Sequence, residues 1–141
     1  MKTDFNNIYL DTSPIIYILE DVKPYSVRVH DFVISHFRNN VMFTTSTITN
    51  TEYLVIPYRI QDHQKIIEFE RFKKILKMRV IAADNAITKQ AAQIRAKYSG
   101  IKSMDALQLA SAIISGCDVF LTNDKQLRQI EEMQVLLVDD L

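Results

Sequence analysis

The stretch from Ser103 to Asp124 constrains the fold more than any other. Ser103-Met104-Asp105-Ala106-Leu107-Gln108-Leu109-Ala110-Ser111-Ala112-Ile113-Ile114-Ser115-Gly116 reads as a helix, with Ser103 as its N-cap and Gly116 just past its end. Leu107, Ala110, Ile113 and Ile114 recur at helical spacing, so one face belongs to a core. Asp105 falls in the first turn, where the helix dipole and free N–H groups favour an anion. After Cys117-Asp118 comes a short apolar strand, Val119 to Leu121, running straight into Thr122-Asn123-Asp124. A carboxylate beside the C-terminal end of a strand lies where open α/β sheets place their ligands. Read alone, Asp105 is also explained as a capping-region acid, and Asn123-Asp124 as a turn.

The rest of the chain repeats the alternation of strand and helix. Ile8-Tyr9-Leu10 is an apolar strand ending at Asp11. Thr12-Ser13-Pro14 then starts a short helix to about Leu19, with a hydroxyl cap and proline at the first helical position. Ser26 caps a second helix in which Val29, Phe32, Val33 and Phe37 share a face. A strand is expected from Val41 to Thr44, then a helix from about Thr47 to Ile56, capped by Ser46 and ended by Pro57. Asp62 opens a helix with Ile66, Phe69, Phe72, Ile75 and Leu76 inward. Val80-Ile81-Ala82 is a third strand. Asp84 caps a helix that runs to Gly100 with Ile87, Ala91, Ile94 and Tyr98 inward, and a short helix to Gln129-Ile130 precedes a last strand, Val135 to Val138. Helices separate all the strands, so the expected fold is a parallel sheet covered on both faces.

Composition narrows the class. The 141 residues are 48% hydrophobic and 24% charged, which predicts one soluble domain over residues 1–141 with a sizeable core. No apolar run approaches the ~18 residues of a membrane span, and no signal peptide is evident. A single cysteine, Cys117, excludes an internal disulfide and fits a reducing cytoplasm. Net charge is zero but unevenly spread: residues 71–102 hold nine Lys/Arg against one Asp/Glu. Within that block Arg71, Lys73, Lys74, Lys77 and Arg79 could face a polyanion such as an RNA backbone, or form an ordinary solvated helix face.

Four acids are drawn to one rim. Asp11 and Asp124 follow strand ends, and Glu52 and Asp105 lie in or near first turns of helices that start at that same edge. Like charges ~4 Å apart repel by roughly 4 kcal/mol near a protein surface, so the cluster calls for a counter-cation or a shared proton. Carboxylates without His or Cys select a hard cation, Mg²⁺ or Mn²⁺. Such an ion activates water and neutralises charge developing on a phosphodiester. His30, His36 and His63 lack the spacing of a zinc site. Two glycines, Gly100 and Gly116, leave no phosphate-cradling loop.

Four segments carry a family resemblance. Ile8-Tyr9-Leu10-Asp11-Thr12-Ser13, Ser46-Thr47-Ile48-Thr49-Asn50-Thr51-Glu52, Met104-Asp105-Ala106-Leu107-Gln108-Leu109-Ala110 and Leu121-Thr122-Asn123-Asp124 resemble the four motifs of PIN-domain nucleases. The likeness is greatest to bacterial VapC-like toxins of toxin–antitoxin pairs, and runs from Ile8 to Val138. It implies a three-layer α/β/α sandwich around a parallel sheet and Mg²⁺-dependent endoribonuclease activity, with Mn²⁺ substituting. By position, Asp11, Glu52 and Asp105 match the three principal acids and Asp124 the more variable fourth. Ser13 and Thr122 match hydroxyls near the metal, and Asn123 matches a supporting polar residue. Many relatives have an Arg between that Thr and Asn, whereas Thr122 here meets Asn123 directly. The resemblance also implies an RNA substrate, an antitoxin partner, a homodimer and a cytoplasmic location. Two other readings share the pattern: a PIN-like module that binds RNA or protein without cutting, and a phospho-acceptor signalling domain. The latter needs an adjacent acid pair after the first strand, and Asp11 is followed by Thr12.

Overall fold

Along the first strand, β1 (Asn7–Leu10), Ile8 and Leu10 join one hydrophobic cluster and Tyr9 joins another, and all three are fully buried. Apolar side chains on both sides of the pleat mean a strand covered on both faces. The computed structural model, which describes residues 4–141, shows the covering layers. One consists of α1 (Thr12–Leu19), α2 (Tyr25–Arg38), α3 (Ile48–Tyr53) and α5 (His63–Ile75), which contribute Ile15, Val29, Val33, Tyr53 and Phe69 to the first cluster. The other consists of α6 (Asn85–Lys97) and α7 (Ser103–Ile114), which contribute Ile87, Ile94 and Leu109 to the second. This is the expected α/β/α sandwich. Among the described residues no helix is long and apolar enough to cross a membrane.

The sheet adds β2 (Met42–Ser46), β3 (Arg79–Ile81), β4 (Val119–Thr122) and β5 (Val135–Leu137) in the order β3-β2-β1-β4-β5. Every pairing is parallel, with Tyr9 opposite Thr44 on β2 and Leu10 opposite Leu121 on β4. The chain builds outward from β1 to β2 and β3, then crosses over to add β4 and β5. The order therefore reverses between β1 and β4, and a crevice opens at their carboxyl ends. α7 leads through Gly116 (φ +77°) into β4, so α7 starts at that same carboxyl edge.

Several local expectations shift. Asp11, not the Thr12 or Ser13 hydroxyl, occupies the cap of α1, its Oδ1 accepting from Thr12 N at 2.9 Å, and Pro14 is the third helical residue. α2 starts at Tyr25, and the Ser26 hydroxyl donates to Asp21 Oδ1 at 2.8 Å instead of capping. Ser103 is the first residue of α7, with Lys102 at the cap. Ser46 remains in β2, yet its Oγ still accepts from Ile48 N at 3.2 Å, which is capping chemistry displaced by one residue. The helix expected over 47–56 divides at Leu54 into α3 and α4 (Val55–Arg59), with Pro57 inside α4. Proline is tolerated there because first-turn residues need no intrahelical N–H partner. α6 stops at Lys97, three residues before Gly100. The buried face of α7 also differs: Ala106, Leu109, Ala110 and Ala112 are buried while Ile114 is 46% exposed. The small residues let α7 lie close to both the sheet and α6, so its core face is broader and rotated from the one the large apolar residues mark.

The basic block separates into different environments. Lys73 points inward, its Nζ 3.0 Å from Glu70 Oε1, 3.4 Å from Asn50 Oδ1 and 4.1 Å above the Phe69 ring. It is a structural cation, contrary to the expected polyanion face. α5 ends shortly before β3 begins, so Lys77 and Arg79 lie at the amino edge, opposite the acids. Arg79 donates there to the Ser115 carbonyl at 3.4 Å, and Lys77 shares a hollow with Met42, the first residue of β2. Arg71 and Lys74 remain exposed on α5. Lys73→Ala is expected to cost about 1–3 kcal/mol of stability, through lost packing and an orphaned site. Lys74→Ala should stay within about 0.5 kcal/mol. Urea unfolding of both variants checks this.

Candidate active site

The crevice at the switch point is a cleft of about 400 Å³ lined by Asp11, Glu52, Asp105 and Asp124, with Thr12, Ser13, Ile16, Tyr17 and Asn123 completing its wall. Each acid arrives from a different element. Asp11 follows β1, Glu52 lies in α3 beyond β2, Asp105 is in the first turn of α7, and Asp124 follows β4. None of the three histidines lines it.

Asp11 is the least solvated of the four, 6% exposed. Thr122 Oγ1 donates to its Oδ2 at 2.7 Å and Thr12 N to its Oδ1 at 2.9 Å, which favours the charged form. Burial outweighs these bonds, and the charges of Glu52 and Asp105 add to it, so the carboxyl is pushed up to about 7. Asp105 is also raised, first by burial and then by Asp124 and Glu52, with Lys102 opposing.

Glu52 is held from behind. Thr12 Oγ1 donates to its Oε1 at 2.7 Å and Gln108 Nε2 donates to the same oxygen at 2.8 Å. Gln108 is fully buried, and its Oε1 accepts from Ser46 Oγ at 3.0 Å and from the Tyr9 hydroxyl. In the sequence Gln108 stands within the third motif with no role assigned to it. The available signal was its position three residues after Asp105, which puts both on one side of α7.

The supporting residues are occupied in binding the chain to itself. Ser13 Oγ accepts from Asn123 N at 3.3 Å. Asn123 donates to Tyr17 Oη at 3.3 Å and accepts from Asp139 N at 3.2 Å. Thr122 Oγ1 accepts from Asp124 N at 3.1 Å, and Asp124 Oδ1 caps the following 3-10 helix (Lys125–Gln129) through Gln126 N at 3.0 Å. Thus Asp124 divides its carboxylate between a cap and the cleft.

Among the described residues no group of three or more His, Cys, Asp or Glu closes into a metal cage with the side chains as they stand. The acids instead face one another across the cleft, where burial first and their mutual charge second raise Asp11 and Asp105. A donor set of carboxylates alone, electrostatically crowded and partly desolvated, fits a hard divalent cation.

Fold and site together define a class: a parallel α/β protein with an acidic crevice at its switch point. The family model for the PIN domain matches residues 8–133, and the chain belongs to the PIN-domain family. DNA-bound VapBC from Salmonella typhimurium is similar at TM-score 0.76 and 17% identity, over 94% of this chain and 98% of that one. A toxin–antitoxin complex from Klebsiella pneumoniae is similar at 0.70 and 20%, over 93% and 97%. FitAcB from Neisseria gonorrhoeae is similar at 0.69 and 23%, over 95% and 99%. At such identities these likenesses speak for the fold. No curated protein sequence matches the chain significantly.

The raised Asp11 and Asp105 give a signed pH dependence. An acid whose folded pKa exceeds its unfolded value binds more protons when folded, so stability is lost as pH rises between the two. In chelator, melting temperature should fall from about pH 4 through the Asp11 value of about 7 and level off above it. Asp105→Asn removes part of the repulsion and should melt higher than wild type at neutral pH, by roughly 2–4 °C. Thermal unfolding across that pH range checks both statements, and a variant melting lower would make Asp105 a structural acceptor.

Proposed function

We propose that this protein is a divalent-metal-dependent endoribonuclease and the toxin of a toxin–antitoxin pair. The observation that carries this reading is the convergence of Asp11, Glu52, Asp105 and Asp124 on one cleft at the sheet's switch point, where burial, and after it two neighbouring acids, push Asp11 up. A fold maintains such mutual repulsion where a cation is to be bound. Asp11, Asp105 and Glu52 would hold Mg²⁺, or Mn²⁺ in its place, and Asp124 would complete the site or orient water. The bound ion would supply Lewis-acid polarisation of the scissile phosphodiester. Thr122 and the Thr12 amide hold Asp11 in place, and Gln108 and Thr12 hold Glu52. The Lys102 charge acts on Asp105 and Lys125 follows Asp124 directly. These two lysines, with Arg71 farther away, are the cations we assign to the RNA backbone, with affinity falling as salt rises.

An antitoxin partner is supported by the groove adjoining the cleft. Ile16, Glu20, Tyr53, Ile56 and Pro57 line it together with Glu52, which it shares with the acid site. Ile56 in the groove and Tyr58 and Ile60, which follow it in α4 and just beyond, are 57–61% exposed, apolar surface of the kind partners cover. The Klebsiella neighbour is a toxin–antitoxin complex, which agrees. A homodimer and a cytoplasmic location complete the proposal.

Cleavage of structured RNA by the purified protein tests the reading. Activity is expected with Mg²⁺ or Mn²⁺ and none with EDTA. Asp105→Asn should slow cleavage by about 100-fold or more, at least what loss of an outer-shell partner costs. Equal cleavage in chelator would overturn the metal assignment. Metal-dependent binding without any cutting would favour the non-cleaving module.

A further inference from the structure

We propose that Gln108 is a positioning residue for Glu52, and that Tyr9 and Ser46 set the direction of its amide. The proposal rests on the metal-site reading above and concerns how that site is pre-set. Gln108 is fully buried on α7 and does not line the cleft, so it acts through another group. Burying an amide is unfavourable unless its polar atoms are paired, and here every polar atom is used. Nε2 reaches Glu52 Oε1 at 2.8 Å, Thr12 Oγ1 at 3.1 Å and Thr49 Oγ1 at 3.1 Å. Oε1 accepts from Ser46 Oγ at 3.0 Å and from the Tyr9 hydroxyl.

The direction of the amide follows from what its neighbours can do. An ionised carboxylate only accepts hydrogen bonds, so the NH₂ group must face Glu52. Oε1 is then left to two hydroxyls, both of which can donate. The Tyr9 ring is stacked on Phe120 with centroids 5.2 Å apart, so its hydroxyl has a fixed place to donate from. Thr12 Oγ1 donates to the same Glu52 oxygen at 2.7 Å. Two donors thereby hold Oε1, so Oε2 is the oxygen that Glu52 would offer to a cation. Asp105 and Gln108, three residues apart on α7, give one helix two tasks: supplying one acid and orienting another.

Mn²⁺ affinity, read by electron paramagnetic resonance without RNA, tests the proposal on wild type, Gln108→Met, Tyr9→Phe, Glu52→Gln and the double variant Glu52→Gln/Gln108→Met. Methionine keeps the length and volume of the side chain. Gln108→Met should weaken Mn²⁺ binding by about 10–100-fold, and Tyr9→Phe by a smaller factor. Because Gln108 acts through Glu52, it should change affinity less than about twofold in the Glu52→Gln background. Wild-type affinity in Gln108→Met, or an undiminished loss in the double variant, overturns the proposal. Should Gln108→Met not fold, Tyr9→Phe decides, and wild-type affinity there overturns it. Wild-type protein that takes up no Mn²⁺ overturns the metal reading itself, and this proposal with it.

Discussion

The burial and crowding of carboxylates that the fold forces into one cleft is the constraint around which this molecule is arranged. Asp11 continues directly from β1, where its backbone N–H still donates to the Leu121 carbonyl at 3.0 Å. It cannot retreat from the cleft without breaking the central pair of strands. Thr122, the last residue of β4, holds the carboxylate from the other side. Glu52 and Asp105 are brought opposite by helices whose starts the parallel topology delivers to the same edge. The crowding is therefore a product of the sheet order and not of any single loop.

Such a site lowers stability, and the surrounding structure offsets the loss. The strands flanking Asp11 are buried on both faces, and Ile8, Tyr9, Leu10, Val119, Phe120 and Leu121 are all fully buried. At roughly 1.5–3 kcal/mol for each large side chain removed from water, this central pair outweighs the penalty of one poorly solvated carboxyl. No buried side-chain nitrogen or oxygen among the described residues lacks a partner. The polar layer beneath the acids, made of Thr12, Thr45, Thr49, Ser46 and Gln108, is accordingly bonded throughout. A satisfied polar layer is stiff, and stiffness is what keeps neighbouring acids from swinging apart.

Much of this was legible in the chain. Strands ending in acids, and helices starting at hydroxyl or acidic residues, sufficed for the parallel sandwich and for bringing Asp11, Glu52, Asp105 and Asp124 to one rim. Where the reading failed, tertiary context had replaced a local rule. Ser26 and Ser103 have the chemistry of caps, but Asp21 draws the first into another bond and Lys102 takes the cap position before the second. Lys73 belongs to a run of cations, yet Phe69, Glu70 and Asn50 surround it. Charge along a sequence says nothing of which helix face a residue occupies. Gln108 was harder to read for the converse reason: its partners Tyr9 and Thr12 come from one distant stretch and Ser46 and Glu52 from another, and the spacing to Asp105 alone does not announce their meeting.

On the proposed metal reading, Asp11, pushed up to about 7, carries a proton in the metal-free site near neutrality and would give it up to a hard cation. Titration calorimetry of Mn²⁺ binding in buffers of different ionisation enthalpy counts that proton directly. The account predicts release of about one proton per ion at pH 6, falling to almost none by pH 8.5, with affinity rising over the same range. Binding with no proton release at pH 6, or release that does not change with pH, would contradict it.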